Sequence, residues 1–155
     1  MIIDTHCHLV SNKYEDLEQL RADSVALGVK HCVSQGTGAD DWEPQLEIAR
    51  RMPDFVSSCL AVPPSDVTNV TDEQLCYMEE LCRRHPQAAI GETGLDYFWA
   101  APEGWTEDAY RARQRVFLER HFQLAQLLLT LQLHQEVELL LFHQVRLLMY
   151  LTRLI

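Results

Sequence analysis

Short runs of β-branched and other apolar residues alternate along the chain with longer segments in which apolar residues recur every three to four positions. Most of these segments begin at a capping residue, or end at glycine or proline. The pattern predicts strands at 1–8, 29–34, 55–62 and 88–92, and helices at 15–27, 40–52, 71–85 and 106–124. Four strand–helix repeats predict an α/β domain with a parallel sheet and right-handed crossovers.

Two histidines stand at the end of the first predicted strand. His6 and His8 are two positions apart, so their side chains point to the same face of a strand and can share one metal ion. Glu92 ends the fourth predicted strand and is followed by a glycine-containing loop. Because parallel α/β folds place their sites at the carboxyl ends of strands, these three residues predict divalent metal binding.

The segment after residue 123 differs from the rest of the chain. Residues 124–155 contain thirteen leucines and no Gly, Pro, Asp or Asn. We expect a fifth strand at 130–134 and a mostly apolar helix from residue 137, interrupted by polar residues too often for a membrane span. The abrupt change predicts a truncated or frame-shifted product, an alternative transcript end, or an uncertain residue assignment in the tail. Residues 126–155 are therefore an atypical or unreliable part of one domain over residues 1–155.

The formal charge of −10 argues against a surface that coats nucleic acid non-specifically. An anionic substrate would instead need metal ions at a local site. The five cysteines form no C-x-x-C motif, and the first residues do not resemble a secretion signal. These features predict reduced thiols and a cytoplasmic protein.

Two motifs and a set of later residues resemble a known family. The motifs read DTHCHL at residues 4–9 and GETGLDY at residues 91–97, and they are followed by Gln114, Phe117 and the pair at 124–125. Together they closely resemble the TatD family of metal-dependent deoxyribonucleases in the amidohydrolase superfamily. The resemblance implies a TIM-like (β/α) barrel and an exonuclease-type enzyme that cleaves DNA phosphodiester bonds with a two-metal centre.

The resemblance also implies roles for individual residues. His6 and His8 would hold the first metal, and Glu92 would be the catalytic carboxylate that bridges both ions. His134, at the end of the fifth predicted strand, would be a further ligand. Apart from the resemblance, we expect Asp4 to orient a ligand histidine, a role that carboxylates beside metal ligands often have. The ions would be Mg²⁺, Zn²⁺ or Mn²⁺, since mixed histidine and carboxylate ligands accept all three.

The resemblance covers about residues 1–125, so the predicted barrel is incomplete, with about five βα units. The family's histidine on strand six and aspartate on strand eight have no counterpart, since His143 follows His134 too closely. An incomplete barrel exposes a strand edge, which predicts self-association. Two alternatives stay open: a hydrolase acting on esters, lactones or amides, and a catalytically dead binding domain.

Several other residues have an ordinary structural interpretation. We expect His121 to be a packing or surface residue of its helix, and Cys7 to point into the core between the two ligand histidines. The loop at 98–105 is long enough to act as a lid. Its tryptophans, Trp99 and Trp105, would either stack on a base or anchor the loop.

Overall fold

The computed structural model describes the backbone of residues 2–10 and 14–151, and the side chains of residues 2–10 and 14–133. Strands and helices alternate through the described chain, as the sequence pattern predicts. The elements are β1 (Ile2–Cys7), α1 (Leu17–Ala26), β2 (Val29–Gln35), α2 (Trp42–Arg51), β3 (Val56–Leu60), α3 (Asp72–Arg84), β4 (Ala89–Ile90) and α4 (Glu107–Leu151).

The four strands form one parallel sheet in the order β1-β2-β3-β4. Each strand therefore pairs with the next one along the chain, which is the order of consecutive units in an α/β barrel. The ladder between β3 and β4 is short, with only Cys59 paired to Ala89 and Leu60 paired to Ile90. The predicted parallel α/β architecture is confirmed.

The main hydrophobic core lies between β3, the segment that follows it, and helices α2, α3 and α4. Its largest fully buried side chains are Trp42, Leu60, Leu75, Met78 and Phe117. A capping box at Thr71 and Gln74 starts α3, so that the buried stripe of this helix faces the core. This core fixes α4 against the carboxyl end of β3.

Helix α1 is less buried than its apolar residues predict. It has no fully buried residue; Leu17 and Leu20 only partly cover a second cluster around Met52 and Phe55. Leu27, predicted to continue the stripe, is 80% exposed. The helix packs against β2 more than against β1, the edge strand of the described sheet, whose residues stay mostly exposed.

The predicted fifth strand at 130–134 is wrong, because α4 continues through these residues to Leu151. At 45 residues the helix is about 68 Å long. The physical reason is that this segment is rich in leucine and glutamine and contains no glycine or proline, so nothing in it ends a helix. A search of the described residues found no helix long and apolar enough to cross a membrane.

Candidate metal centre

His6, His8 and Glu92 come together although they belong to opposite edges of the described sheet. In a flat sheet, β1 and β4 would be about 14 Å apart, three strand spacings. The Nε2 atom of His6 nevertheless lies 3.3 Å from Oε2 of Glu92, and one ligand atom from each of the three residues lies within 4.8 Å of the others. A curled sheet whose side chains converge on one face explains this approach.

The donor set fits a divalent cation. Two imidazole nitrogens and one carboxylate oxygen are the ligands that zinc and manganese accept, and catalytic sites commonly use three protein ligands and leave a position open. The side chains of His6 and Glu92 are 52% and 39% exposed, so solvent or a substrate has access to the cluster. The two imidazole rings meet edge to face, with their centroids 5.1 Å apart.

The main chain of β2 determines which nitrogen of His8 is available. Nδ1 of His8 lies 3.0 Å from the carbonyl oxygen of Gln35. A carbonyl only accepts, so Nδ1 carries the proton and donates it, and Nε2 keeps a lone pair for a metal. The same carbonyl accepts a second hydrogen bond, at 2.7 Å, from Nε2 of the buried Gln45.

Gln35 also contacts the first strand with its side chain. Its Nε2 donates to the carbonyl oxygen of Thr5, the residue before His6, at 3.3 Å. The sequence pattern gave no indication that Gln35 and Gln45 make these contacts. Neither belongs to a motif, and a buried glutamine cannot be distinguished from an exposed one by its position in a helix or strand pattern alone.

Asp4, the predicted orienting carboxylate, contacts the main chain of His6 and not its ring. Its Oδ1 accepts a hydrogen bond of 3.0 Å from the His6 backbone N–H. Cys7 makes a long contact of 3.6 Å from its sulfur to the carbonyl of Val33. A hydrogen bond to the Cys32 thiol and burial raise the pKa of Cys7, which keeps it a neutral thiol.

Residues of α4 hold the segment that carries Glu92. The buried Gln114 donates from Nε2 to the carbonyl of Asp96 and accepts from the Asp96 N–H, both at 2.9 Å. His121, also buried, lies 2.6 Å from the hydroxyl of Thr93 through its Nδ1. Burial, and secondarily the charge of Arg120, lowers the pKa of His121 to about 4.

His121 is buried and packed, one of the two placements expected from the sequence, and it also makes hydrogen bonds that the sequence did not predict. A polar residue within an apolar helical stripe was the available signal, because a buried polar side chain requires a partner. His134, by contrast, lies within α4 and not at a strand end. Its side chain lies outside the residues whose side chains the structure describes.

The predicted lid exposes several aromatic side chains. Phe98 and Trp99 are 82% and 66% exposed and meet edge to face. Tyr97 is fixed from α4, since the Arg111 guanidinium lies 4.9 Å from its ring centroid and Arg115 donates to its hydroxyl. The base of the loop is thus anchored, while the Phe98–Trp99 pair faces solvent.

These features define the class of protein as a section of a parallel α/β barrel with a candidate metal centre at the carboxyl ends of its strands. A family model described as "TatD related DNase" matches residues 3–146. The chain belongs to this family, and the resemblance seen in the two motifs is confirmed.

Three curated relatives illustrate the match. The chain is 31% identical over 113 residues to "Uncharacterized metal-dependent hydrolase YabD" of Bacillus subtilis, which covers 72% of this chain and 44% of that protein. It is 29% identical over 122 residues to "3'-5' ssDNA/RNA exonuclease TatD" of Dickeya dadantii. That match covers 77% of this chain and 46% of the exonuclease. It is 28% identical over 133 residues to the human "Deoxyribonuclease TATDN3", a match that covers 80% of this chain and 47% of the human protein.

Two solved structures share the fold. The Escherichia coli TatD homologue YJJV superposes with a TM-score of 0.68 at 26% identity, over 81% of this chain and 47% of that one. A TatD family hydrolase from Entamoeba histolytica gives a TM-score of 0.66 at 18% identity, over 78% of this chain and 46% of that one. The predicted TIM-like barrel, incomplete in this chain, is confirmed. The chain spans about half the length of the curated relatives it matches.

Proposed function

We propose that this chain acts as a metal-dependent nuclease that removes nucleotides from DNA ends with a two-metal centre. One observation carries the proposal: His6, His8 and Glu92, distant in sequence, present ligand atoms within 4.8 Å of one another. The names of the relatives support the substrate class, since one is called an ssDNA/RNA exonuclease and another a deoxyribonuclease.

Each residue has a distinct task in this proposal. His8, with its Nδ1 proton held by the Gln35 carbonyl, offers Nε2 to the first metal, and His6 offers its ring beside it. Glu92 has two carboxylate oxygens and can hold one ion with each. Bound divalent ions would lower the pKa of water and stabilise the charge that develops on the phosphoryl oxygens.

The electrostatic balance of the chain agrees with a metal-dependent reaction on a polyanion. A formal charge of −10 opposes the approach of a phosphodiester backbone to the chain as a whole. Positive charge must therefore be supplied locally, and the exposed cluster of His6, His8 and Glu92 is where the structure offers ligands for it. We expect substrate binding to depend on the divalent ion as well as catalysis.

The test compares phosphorus and carbon substrates with the same protein. Single-stranded DNA labelled at either end, and a panel of lactones and amides, are incubated with the 155-residue chain and Mg²⁺, Mn²⁺ or Zn²⁺. We expect stepwise release of nucleotides from one end, and its loss in Glu92→Gln. Glu103→Gln, an exposed glutamate of the neighbouring loop, is the matched control and should keep full activity.

Three results would reject the proposal. Turnover of lactones or amides without DNA cleavage would assign the site to carbon chemistry. Folded, metal-loaded protein that hydrolyses neither class would make the chain a binding domain. DNA cleavage that survives in Glu92→Gln would show that the cleavage does not depend on the proposed metal centre.

A further inference from the structure

The backbone ladder ends before it reaches Glu92. Strand β4 contains only Ala89 and Ile90, and the last main-chain bond to β3 runs from the Gly91 N–H to the Leu60 carbonyl at 3.2 Å. Glu92 is therefore presented from a segment that the sheet no longer holds. A ligand must be fixed within about 0.5 Å to bind a metal well, so other contacts have to position this segment.

The nearest such contact is the bond between Thr93 and His121. His121 is 1% exposed, and its ring packs edge to face against Phe117 with centroids 6.4 Å apart. The backbone N–H of Val62 points to its Nε2 at 3.3 Å, so Nε2 accepts and carries no proton. In a neutral ring the proton is then on Nδ1, which donates to Oγ1 of Thr93 at 2.6 Å.

The imidazole thus joins two segments that leave neighbouring strands. On one side it holds Val62, two residues after β3, and on the other it holds Thr93, the residue after Glu92. Together the two bonds require the neutral ring with its proton on Nδ1. The two bonds also satisfy both ring nitrogens of this buried side chain.

We propose that His121 is a positioning residue for Glu92: it holds the Thr93 hydroxyl and so fixes the main chain that presents the Glu92 carboxylate to a divalent ion. The inference rests on the proposed function, because it assumes that Glu92 binds a metal. Among the described residues, the hydrogen bonds of His121 go to Val62 and Thr93 and not to His6, His8 or Glu92.

The test measures Mn²⁺ affinity of the whole chain by electron paramagnetic resonance of the free ion, independently of hydrolysis. Thr93→Val keeps the shape of the side chain but removes the acceptor, and we expect Mn²⁺ to bind about tenfold more weakly. Thr93→Ser restores the hydroxyl and should return the affinity to within about threefold of the wild type. The position of the proton on the His121 ring can be measured by ¹⁵N NMR, and we expect it on Nδ1 in the wild type.

A second variant separates positioning from general loss of stability. Leu124→Val shortens a buried side chain one turn further along α4 and lowers the stability of the core without touching Thr93. We expect its Mn²⁺ affinity to stay within about twofold of the wild type. Equal weakening in Thr93→Val and Leu124→Val, or full affinity in Thr93→Val, would overturn the inference.

Failure of the proposed function gives a different result. If the wild type binds no more Mn²⁺ than His6→Ala/His8→Ala, the metal centre itself is absent, and the inference falls with it. Wild-type binding combined with full affinity in Thr93→Val rejects only the role of His121.

Discussion

The two sides of the candidate metal centre are built differently. On the β1 side, His6 and His8 end a strand that pairs with β2, and the ring of His8 bonds directly to the main chain of Gln35. On the β4 side, the strand has two residues, and the segment of Glu92 is held by side chains of α4. Hydrogen bonds to the main chain of the sheet thus support the β1 side. The β4 side is supported by side-chain contacts between residues 18 apart in sequence, Asp96 and Gln114, and 28 apart, Thr93 and His121.

This difference determines where substitutions should disturb the candidate metal centre most. The β1 side lies at the exposed edge of the described sheet but uses main-chain bonds, which a side-chain substitution leaves in place. The β4 side lies against the main core and depends on single polar side chains that are fully buried. Substitutions in α4 should therefore affect Glu92 more than any surface change near the histidines affects His6 and His8.

The largest effect that we expect is the pH dependence contributed by His121. Its folded pKa is about 4, against about 6.5 when unfolded, so between these values the unfolded chain binds the extra proton. Stability is therefore present above pH 6.5 and is lost as the pH falls toward 4, by up to about 3 kcal/mol. Urea denaturation at several pH values measures this loss.

His121→Gln is the matched control for that titration. The glutamine amide can accept from Val62 and donate to Thr93, but it does not titrate. The stability of this variant should fall less between pH 6.5 and 4 than that of the wild type. Parallel pH curves for the two proteins would show that His121 does not titrate in this way.

The next effect concerns the second contact between α4 and the segment of Glu92. Gln114→Leu leaves both the N–H and the carbonyl of Asp96 without their partner, and we expect a loss of about 2 kcal/mol in the free energy of unfolding. Gln123→Leu on the exposed face of the same helix is the control and should change stability by less than about 0.5 kcal/mol. Equal losses would mean that the Asp96 contact contributes nothing specific.

How much of this could be predicted differs between the two sides. The strand–helix alternation, and the placement of His6, His8 and Glu92 at strand ends, follow from local patterns. The bonds of His121 and Gln114 to the segment after Glu92 could not be predicted, because periodicity places a residue on a helix face but does not identify its partner. Residues 130–134 were wrongly predicted as a strand because alternating leucines fit a strand locally, whereas the absence of a helix stop decides the outcome.

A smaller effect is expected where the two sides meet. A Cβ atom added at Gly91 would lie 3.0 Å from Oε1 of Gln35, the end of a flexible side chain that also bonds Thr5. Gly91→Ala should therefore cost about 1 kcal/mol in thermal unfolding. In the background of Gln35→Ala the same change should cost much less; an unchanged cost would show that these two residues do not couple the two sides.

The smallest effect is expected at Asp4. Asp4→Asn keeps an oxygen that can accept from the His6 N–H, so Mn²⁺ affinity should stay within about threefold of the wild type. Asp4→Ala removes the acceptor and should weaken binding more. Equal affinities of the two variants would show that the contact with the main chain of His6 does not support the centre.

Metal content shows whether His6, His8 and Glu92 form a metal centre. The chain is purified without chelators, and its zinc, manganese and magnesium are measured by elemental analysis beside His6→Ala/His8→Ala. We predict bound divalent metal in the wild type and a large loss in the double variant, which keeps the core intact. Equal metal content in the two proteins would contradict the account.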